Sequence, residues 1–114
     1  MRIVVIGGTG GIGSKIVKEF KPFTPAEAIS SKDCDVRDFK QCKDLFDSLK
    51  PSVVINASGV NHDKFVHKLN EEDQESISNL LEVNLKGSVN IASACLPHMR
   101  EKGYGRIIYI SSVL

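Results

Sequence analysis

Residues 2–13 read Arg-Ile-Val-Val-Ile-Gly-Gly-Thr-Gly-Gly-Ile-Gly, and this stretch decides the fold. Its apolar, β-branched run, Ile3 to Ile6, is typical of a central parallel strand that is covered on both faces. A glycine turn follows the run, and residues 11–20 then carry apolar side chains at helical spacing. A strand, a glycine turn and a helix N-terminus in this order predict a binding site for nucleotide phosphates, because free N–H groups at the start of a helix attract anions.

The glycines of this turn fit several spacings. Gly8, Gly10 and Gly13 satisfy GxGxxG. Gly7 with Gly10 and Gly13 satisfies GxxGxxG, and Gly7 with Gly11 and Gly13 satisfies GxxxGxG. Glycine suits such a turn because it allows a positive φ and lets the backbone come close to a phosphate or to another element. A tight turn without a ligand is the alternative interpretation.

Strands and helices alternate along the rest of the chain. Short apolar runs predict further strands at residues 26–30, 34–36, 52–57 and 106–111. Helical spacing predicts helices at residues 11–20, from Arg37 or Asp38 to the proline at 51, and over residues 72–101. Apolar side chains of the long helix are expected to point inward at Ile77, Leu80, Leu81, Leu85, Val89, Ala92 and Leu96.

This alternation predicts one α/β domain over residues 1–114, with a doubly wound, mostly parallel sheet. Ligands bind such sheets at the carboxyl ends of the strands. The glycine turn, residues 56–59 and residues 111–112 all follow strands at that edge. We therefore expect these three segments to converge on one site.

Composition excludes several function classes. The net charge of +1 gives no bulk attraction to nucleic acid or to an acidic membrane, and no apolar run approaches the length of a transmembrane helix. The three cysteines are odd in number and form no CxxC pair, which favours reduced thiols in a cytoplasmic protein. The three histidines lack metal-site spacing, so we expect no metal.

Several segments, taken in their order along the chain, resemble segments of the short-chain dehydrogenase/reductase family. The glycine turn is similar to the family's TGxxxGxG, with Ile6 in place of threonine. The other matching segments are Asp35-Val36, Asn56-Ala57-Ser58-Gly59, Val83-Asn84-Leu85-Lys86-Gly87, Leu96-Pro97-His98-Met99 and residues 105–112. The last strand and Asn84 favour the ordinary branch of the family over its epimerase-like branch.

The resemblance implies a Rossmann-like fold and an NAD(P)-dependent oxidoreductase that transfers hydride between nicotinamide and a carbonyl or alcohol. By the same resemblance, Ser112 would hydrogen-bond the substrate oxygen and Asn84 would hold a water in a proton relay. We expect a Cβ at Gly13 to block the cofactor pyrophosphate. The cofactor-binding residues would be Gly7, Thr9, Gly11, Ile12, Gly13, Ser31, Lys32, Asp35, Val36, Asn56, Ala57, Ser58 and Gly59.

Local sequence leaves three of these assignments open. Ser30, Ser31 and Lys32 stand where an acidic residue would favour NAD, and hydroxyls and a cation there suit the 2′-phosphate of NADP. A polar surface loop is the alternative, and NAD is not excluded. Asp35 could accept from an adenine amino group or form an Asx turn. Asn61, His62 and Asp63 could border the substrate cleft or lie in solvent.

The family's Tyr-x-x-x-Lys is missing from these residues. Tyr104 is followed four residues later by Ile108, and Tyr109 by Val113. We therefore expect an N-terminal part of a longer enzyme, inactive alone, with a sheet incomplete on its C-terminal side and an exposed apolar edge strand at 107–110. The alternatives are a non-catalytic dinucleotide-binding module or sensor and, more weakly, an epimerase-like or sugar-nucleotide reductase.

The expected partner is a small carbonyl or alcohol substrate, with no nucleic acid and no membrane. Leu80, Leu81 and Leu85 of the long helix would form the face of a homodimer or homotetramer, or else lie in the core.

Overall fold

The computed structural model describes residues 1–111, and its centre is a parallel sheet. The four strands in this range are β1 (Ile3–Ile6), β2 (Ala26–Ile29), β3 (Val53–Asn56) and β4 (Arg106–Tyr109). They lie in the order β2-β1-β3-β4, and each neighbouring pair is parallel. The predicted α/β class with a doubly wound parallel sheet is confirmed.

Helices connect the strands close to the predicted bounds. The first two are α1 (Gly11–Phe20) and α2 (Phe39–Leu49). The side chain of Asp38 caps α2 by accepting from the N–H groups of Lys40 and Gln41. The long helical segment consists of a 3-10 turn (Glu71–Asp73), α3 (Gln74–Leu81), a π-helical turn (Glu82–Lys86) and α4 (Gly87–Lys102).

The sheet is covered on both faces. On one face, Ile3, Val5 and Ile55 pack with Val17 of α1. On the other, strand side chains pack with α2 and α4, through residues that include Phe46 and Ile91. Both are fully buried. The apolar sequence of β1 and of residues 53–55 in β3 follows from this double coverage.

The predicted inward face of the long helix is wrong for four of its residues. Leu81, Leu85, Val89 and Leu96 are 54%, 65%, 56% and 43% exposed. The π-helical turn adds a residue to one turn of the helix, so an apolar stripe before it does not continue on the same face after it. The residues that are buried in α4 instead are Gly87, Asn90, Ile91, Ala94, Cys95 and Met99.

The strand predicted at Cys34–Val36 is also wrong, since these residues lie in a loop. The carboxylate of Asp35 accepts the N–H of Arg37, which turns the chain. The carbonyl of Val36 accepts from the Asn90 side chain at 2.9 Å. Backbone groups that would join a strand ladder are therefore satisfied locally or by α4.

The predicted edge strand at the end of the chain is confirmed within residues 1–111. β4 pairs only with β3 there, and Ile108, Tyr109 and Ile110 are 45%, 44% and 40% exposed. No helix in the described range has both the length and the apolar character needed to cross a bilayer.

Candidate functional site

The carboxyl edge of the sheet opens into a cleft of about 620 Å³, bounded by the glycine turn, the loop after β2 and the segment after β3. A volume of this size falls within the range of ligand pockets, about 300–1,000 Å³. The cleft brings together most of the residues predicted to bind a cofactor: Gly7, Thr9, Ser31, Asp35, Val36, Ala57, Ser58 and Gly59.

The glycine turn is held tightly between the two strands that flank β1. The N–H groups of Gly7 and Gly8 donate to the carbonyl of Ile29, at 2.9 and 3.3 Å. Gly7 has a φ of 76°, and a Cβ on it would lie 2.8 Å from the backbone of Ala57. A side chain at Gly7 would therefore strain the turn and push β3 away.

Gly13 is buried in the first turn of α1, and a Cβ there would clash with the backbone of the glycine turn. A Cβ at Gly13 would lie 2.0 Å from the carbonyl oxygen of Gly7. Glycine is thus required there so that α1 can rest on the turn. A methyl group at Gly13 would disrupt this contact between α1 and the glycine turn even with no pyrophosphate bound. A Cβ on Gly11 would meet nothing within 4 Å.

The start of α1 leaves donors available for an anion. Its N-cap, Gly10, makes no side-chain cap, and the first turn carries no acidic residue. The N–H of Ser14 donates to the carbonyl of Gly10, so the N–H groups of Gly11, Ile12 and Gly13 precede the first bond of the helix. Three donors at a helix N-terminus suit a phosphate.

Asp35 and Val36 form the wall of the cleft opposite the glycine turn. Asp35 accepts two bonds from the Arg37 guanidinium, at 3.0 and 2.8 Å, and this contact lowers the pKa of Asp35. Asp35 also accepts the N–H of Arg37, so the Asx-turn interpretation is realised, and Asp35 still lines the cleft.

Arg37 and Asn79 line this wall too, and sequence reasoning missed both. Arg37 donates to the Asn79 side chain at 2.9 Å, which joins the loop to α3. An arginine two residues after an Asx-turn aspartate is a usable signal for Arg37. Nothing local in the sequence points to Asn79, because the contact spans 42 residues.

Polar groups at the end of β2 divide into those inside and those outside the cleft. Ser30 and Ser31 line it, whereas Lys32 does not. Asp33 accepts from the N–H and the hydroxyl of Ser30, at 2.9 and 3.0 Å. These hydrogen bonds from Ser30 lower the pKa of Asp33, so a carboxylate stands beside the hydroxyls.

Asn84 lies in the π-helical turn and clamps the segment after β3. Its Oδ1 accepts the N–H of Val60, and its Nδ2 donates to the carbonyl of Val60, both at 2.9 Å. Asn84 and Val60 border a second cleft, of about 480 Å³, next to the first. The relay role predicted for Asn84 would use the second N–H of its Nδ2 and the second lone pair of its Oδ1, which the two bonds to Val60 do not occupy.

Asn56 is buried at the end of β3 and lies in the second cleft rather than the first. Its Oδ1 accepts from the N–H and the hydroxyl of Ser58, and its Nδ2 lies 3.5 Å from the Ser88 hydroxyl. The Tyr109 hydroxyl donates to the Ser88 carbonyl at 2.9 Å. Ser112, predicted to be catalytic, lies outside the described residues.

A buried carboxylate fixes the loop that follows the second cleft. Asp73 accepts from the N–H of Asn70 at 2.9 Å, from Lys64 at 3.0 Å and from His62 at 2.8 Å. These three donors lower the pKa of Asp73 to about 2. Asn61 borders the second cleft, whereas His62 is held by Asp73.

Comparison with known proteins matches residues 24–114 to the family described as short chain dehydrogenase. The chain is 28% identical to nodulation protein G of Azospirillum brasilense, over 96% of this chain and 55% of that protein. It is also 28% identical to acetoacetyl-CoA reductase of Paracoccus denitrificans, over 96% of this chain and 54% of that protein. The chain thus spans about half the length of the curated relatives that it matches.

A solved structure supports the fold. A short chain dehydrogenase from Leptospira borgpetersenii with bound NAD+ superposes with a TM-score of 0.78 at 24% identity, covering 97% of this chain and 51% of that one. At this identity the likeness shows a shared fold alone.

Proposed function

The chain belongs to the short-chain dehydrogenase family, and on this premise we propose that it is the cofactor-binding part of an NAD(P)-dependent oxidoreductase. The observation that carries the proposal is the 620 Å³ cleft, which joins the glycine turn to the Asp35 wall. When bound, the cofactor supplies hydride chemistry between nicotinamide and a carbonyl or alcohol.

The residues present fit a dinucleotide at three places. Gly11, Ile12 and Gly13 offer N–H groups for the pyrophosphate, beside Gly7 and Thr9 of the turn. Asp35 and Val36 offer a carboxylate and an apolar surface for the adenine. Ala57, Ser58 and Gly59 offer backbone for a ribose, since glycine lets a sugar come close.

We expect the cofactor to be NADP. Ser31 supplies a hydroxyl inside the cleft, and Lys32, outside the cleft but in the same turn, supplies a cation, whereas the Ser30 hydroxyl already donates to the Asp33 carboxylate. Titrations with NADPH and with NADH test whether the protein binds a cofactor and which of the two it prefers. Binding is monitored by cofactor fluorescence and by the melting temperature of the protein. At 100-fold excess over Kd the bound cofactor should stabilise the fold by about 2.7 kcal/mol. Tighter NADH binding would reverse the choice, and an unmoved melting temperature with both would overturn the function.

Catalysis would use Asn84 and Ser112, with Asn84 holding a water and Ser112 hydrogen-bonding the substrate oxygen. We expect residues 1–114 by themselves to bind cofactor without turnover. Neither tyrosine is followed by a lysine four residues on, and the Tyr109 hydroxyl already donates to Ser88. Ketone reduction by these residues at a rate comparable with that of a full enzyme would contradict this.

The setting that we propose is the cytoplasm, with a small carbonyl or alcohol substrate. Cys34, Cys42 and Cys95 are all free and buried, which suits a reducing compartment. Self-association through the long helix is the proposed assembly, because Leu81 and Leu85 are more than half exposed.

A further inference from the structure

Two thiols meet beside the cofactor cleft. The sulfurs of Cys34 and Cys42 lie 3.8 Å apart, and the two residues are 2% and 0% exposed. Cys34 belongs to the loop after β2 and lines the cleft, whereas Cys42 lies in α2 behind it. A disulfide has an S–S length of about 2.05 Å, so the sulfurs need to approach by roughly 1.8 Å.

The loop that carries Cys34 is better able to make this movement than the helix. Cys34 pairs with no strand, and its N–H donates only locally, to the carbonyl of Ser30. Cys42 is held on the buried face of α2, and its sulfur lies 3.8 Å from the carbonyl of Val36. Closing the pair would therefore draw Cys34 away from the cleft toward α2.

From this placement we infer that Cys34 and Cys42 form a redox site, in which a small hydroperoxide converts the two thiols into a disulfide and alters the adjoining wall of the cofactor cleft. The inference about the cleft rests on the proposed cofactor function; the inference about the thiol pair does not.

A hydroperoxide is the oxidant that converts the two thiols into a disulfide. The Cys34 thiolate attacks the O–O bond, which gives a sulfenic acid and releases an alcohol, or water from hydrogen peroxide. The Cys42 sulfur then attacks the sulfenic sulfur, the S–S bond forms and the sulfenic oxygen leaves as water. Two electrons pass from the thiols to the peroxide bond.

Cys34 is the residue placed to react first. Cys34 borders the cleft, whereas Cys42 is 0% exposed and does not line it, so Cys34 is the nearer of the two to a molecule that enters the cleft. The sulfur–sulfur contact with Cys42 lowers the pKa of the Cys34 thiol, although burial and the charges of Asp35, Asp38 and Asp33 oppose this. The same contact raises the pKa of Cys42, so Cys42 stays a thiol while Cys34 reacts with the peroxide.

The third cysteine is a natural control. Cys95 is 0% exposed in α4, its sulfur lies near the Ala92 carbonyl, and burial raises its pKa to about 11. It has no thiol partner among the described residues.

To test the redox site, the purified, folded protein is treated with hydrogen peroxide, and disulfides are located by peptide mapping without reduction. We expect one Cys34–Cys42 link in the wild type and in Cys95→Ser. In Cys42→Ser we expect a Cys34 sulfenic acid that dimedone traps. Unmodified thiols at Cys34 and Cys42 in protein that stays folded by circular dichroism, or a link of either to Cys95, would overturn the redox site.

A second arm adds NADP+, which does not consume peroxide. Binding and thiol oxidation are linked, so saturating NADP+ should slow disulfide formation at least about five-fold, and the oxidised protein should bind NADP+ more weakly. A disulfide that forms equally fast although NADP+ raises the melting temperature would overturn the effect on the cleft. If NADP+ fails to bind the reduced protein, the proposed function falls, while the first arm still decides the thiol pair.

Discussion

Gly11 and Gly13 lie in the same turn of α1, yet a methyl group would have opposite effects at the two positions. At Gly13 it would lie 2.0 Å from the Gly7 carbonyl, and at Gly11 it would meet open space. We expect Gly13→Ala to lower the free energy of unfolding by about 1–3 kcal/mol, as overpacking does. Gly11→Ala should leave stability unchanged or raise it by up to about 1 kcal/mol.

Denaturant unfolding of the two variants checks this prediction, with the wild type as reference. The pair also separates folding from binding, because only Gly11→Ala can test the anion site in a stable protein. Equal stabilities of the two variants would contradict the tight contact between α1 and the turn.

Asp73 makes stability depend on acid pH. Its folded-state pKa of about 2 lies below the usual value of an unfolded aspartate, so the folded form binds fewer protons. The stability that it contributes is present above about pH 4 and is lost as the pH falls toward 2. Unfolding measured between pH 5 and 2 should show a smaller loss in Asp73→Asn than in the wild type.

The matched control for that series is Asp44→Asn, which removes a carboxylate from an exposed ion pair with Lys40. We expect its pH dependence to follow that of the wild type. Parallel curves for the wild type and Asp73→Asn would show that His62, Lys64 and Asn70 do not act through this carboxylate.

At the scale of elements, the π-helical turn places Asn84 where its amide reaches Val60. Two hydrogen bonds of 2.9 Å join the long helix to the segment after β3. We expect Asn84→Ala to lower the free energy of unfolding by about 1–3 kcal/mol, at 0.5–1.5 kcal/mol for each bond. Hydrogen exchange at the Val60 amide should speed up in the same variant.

Asn84→Asp refines this test, because it keeps the acceptor for the Val60 N–H and loses the donor to the Val60 carbonyl. Its Val60 amide should exchange at a rate between those of the wild type and Asn84→Ala. Unchanged exchange in both variants would refute the clamp.

At the scale of the whole molecule, Leu81, Leu85 and Val89 leave an apolar face on the long helix. If copies of the protein associate through it, Leu85→Glu should give monomers in sedimentation velocity. Because Leu85 is 65% exposed, the variant should change monomer stability by no more than about 0.5 kcal/mol. Lys86→Gln, beside it, should leave the assembly as it is. A wild-type protein that sediments as a monomer would contradict the proposed association.

Much of the architecture could be predicted from local sequence. The apolar runs at residues 3–6 and 53–55 indicated strands with two covered faces, and Arg37 or Asp38 was predicted to start α2, where Asp38 is the N-cap. The order of these elements was sufficient for a parallel sheet, because right-handed crossovers leave few alternatives. The convergence of the glycine turn with Ala57, Ser58 and Gly59 followed from that topology.

Other features were decided only by contacts between residues distant in sequence. The fold presses Gly13 onto Gly7, leaves Leu81 and Leu85 at the surface, and brings Arg37 to Asn79. It also sets the sulfur of Cys34 beside that of Cys42. Sequence fixes what each segment can form by itself, since hydrophobic period, capping and glycine are local properties. Which surfaces then touch depends on how whole elements pack, and that depends on every side chain between them.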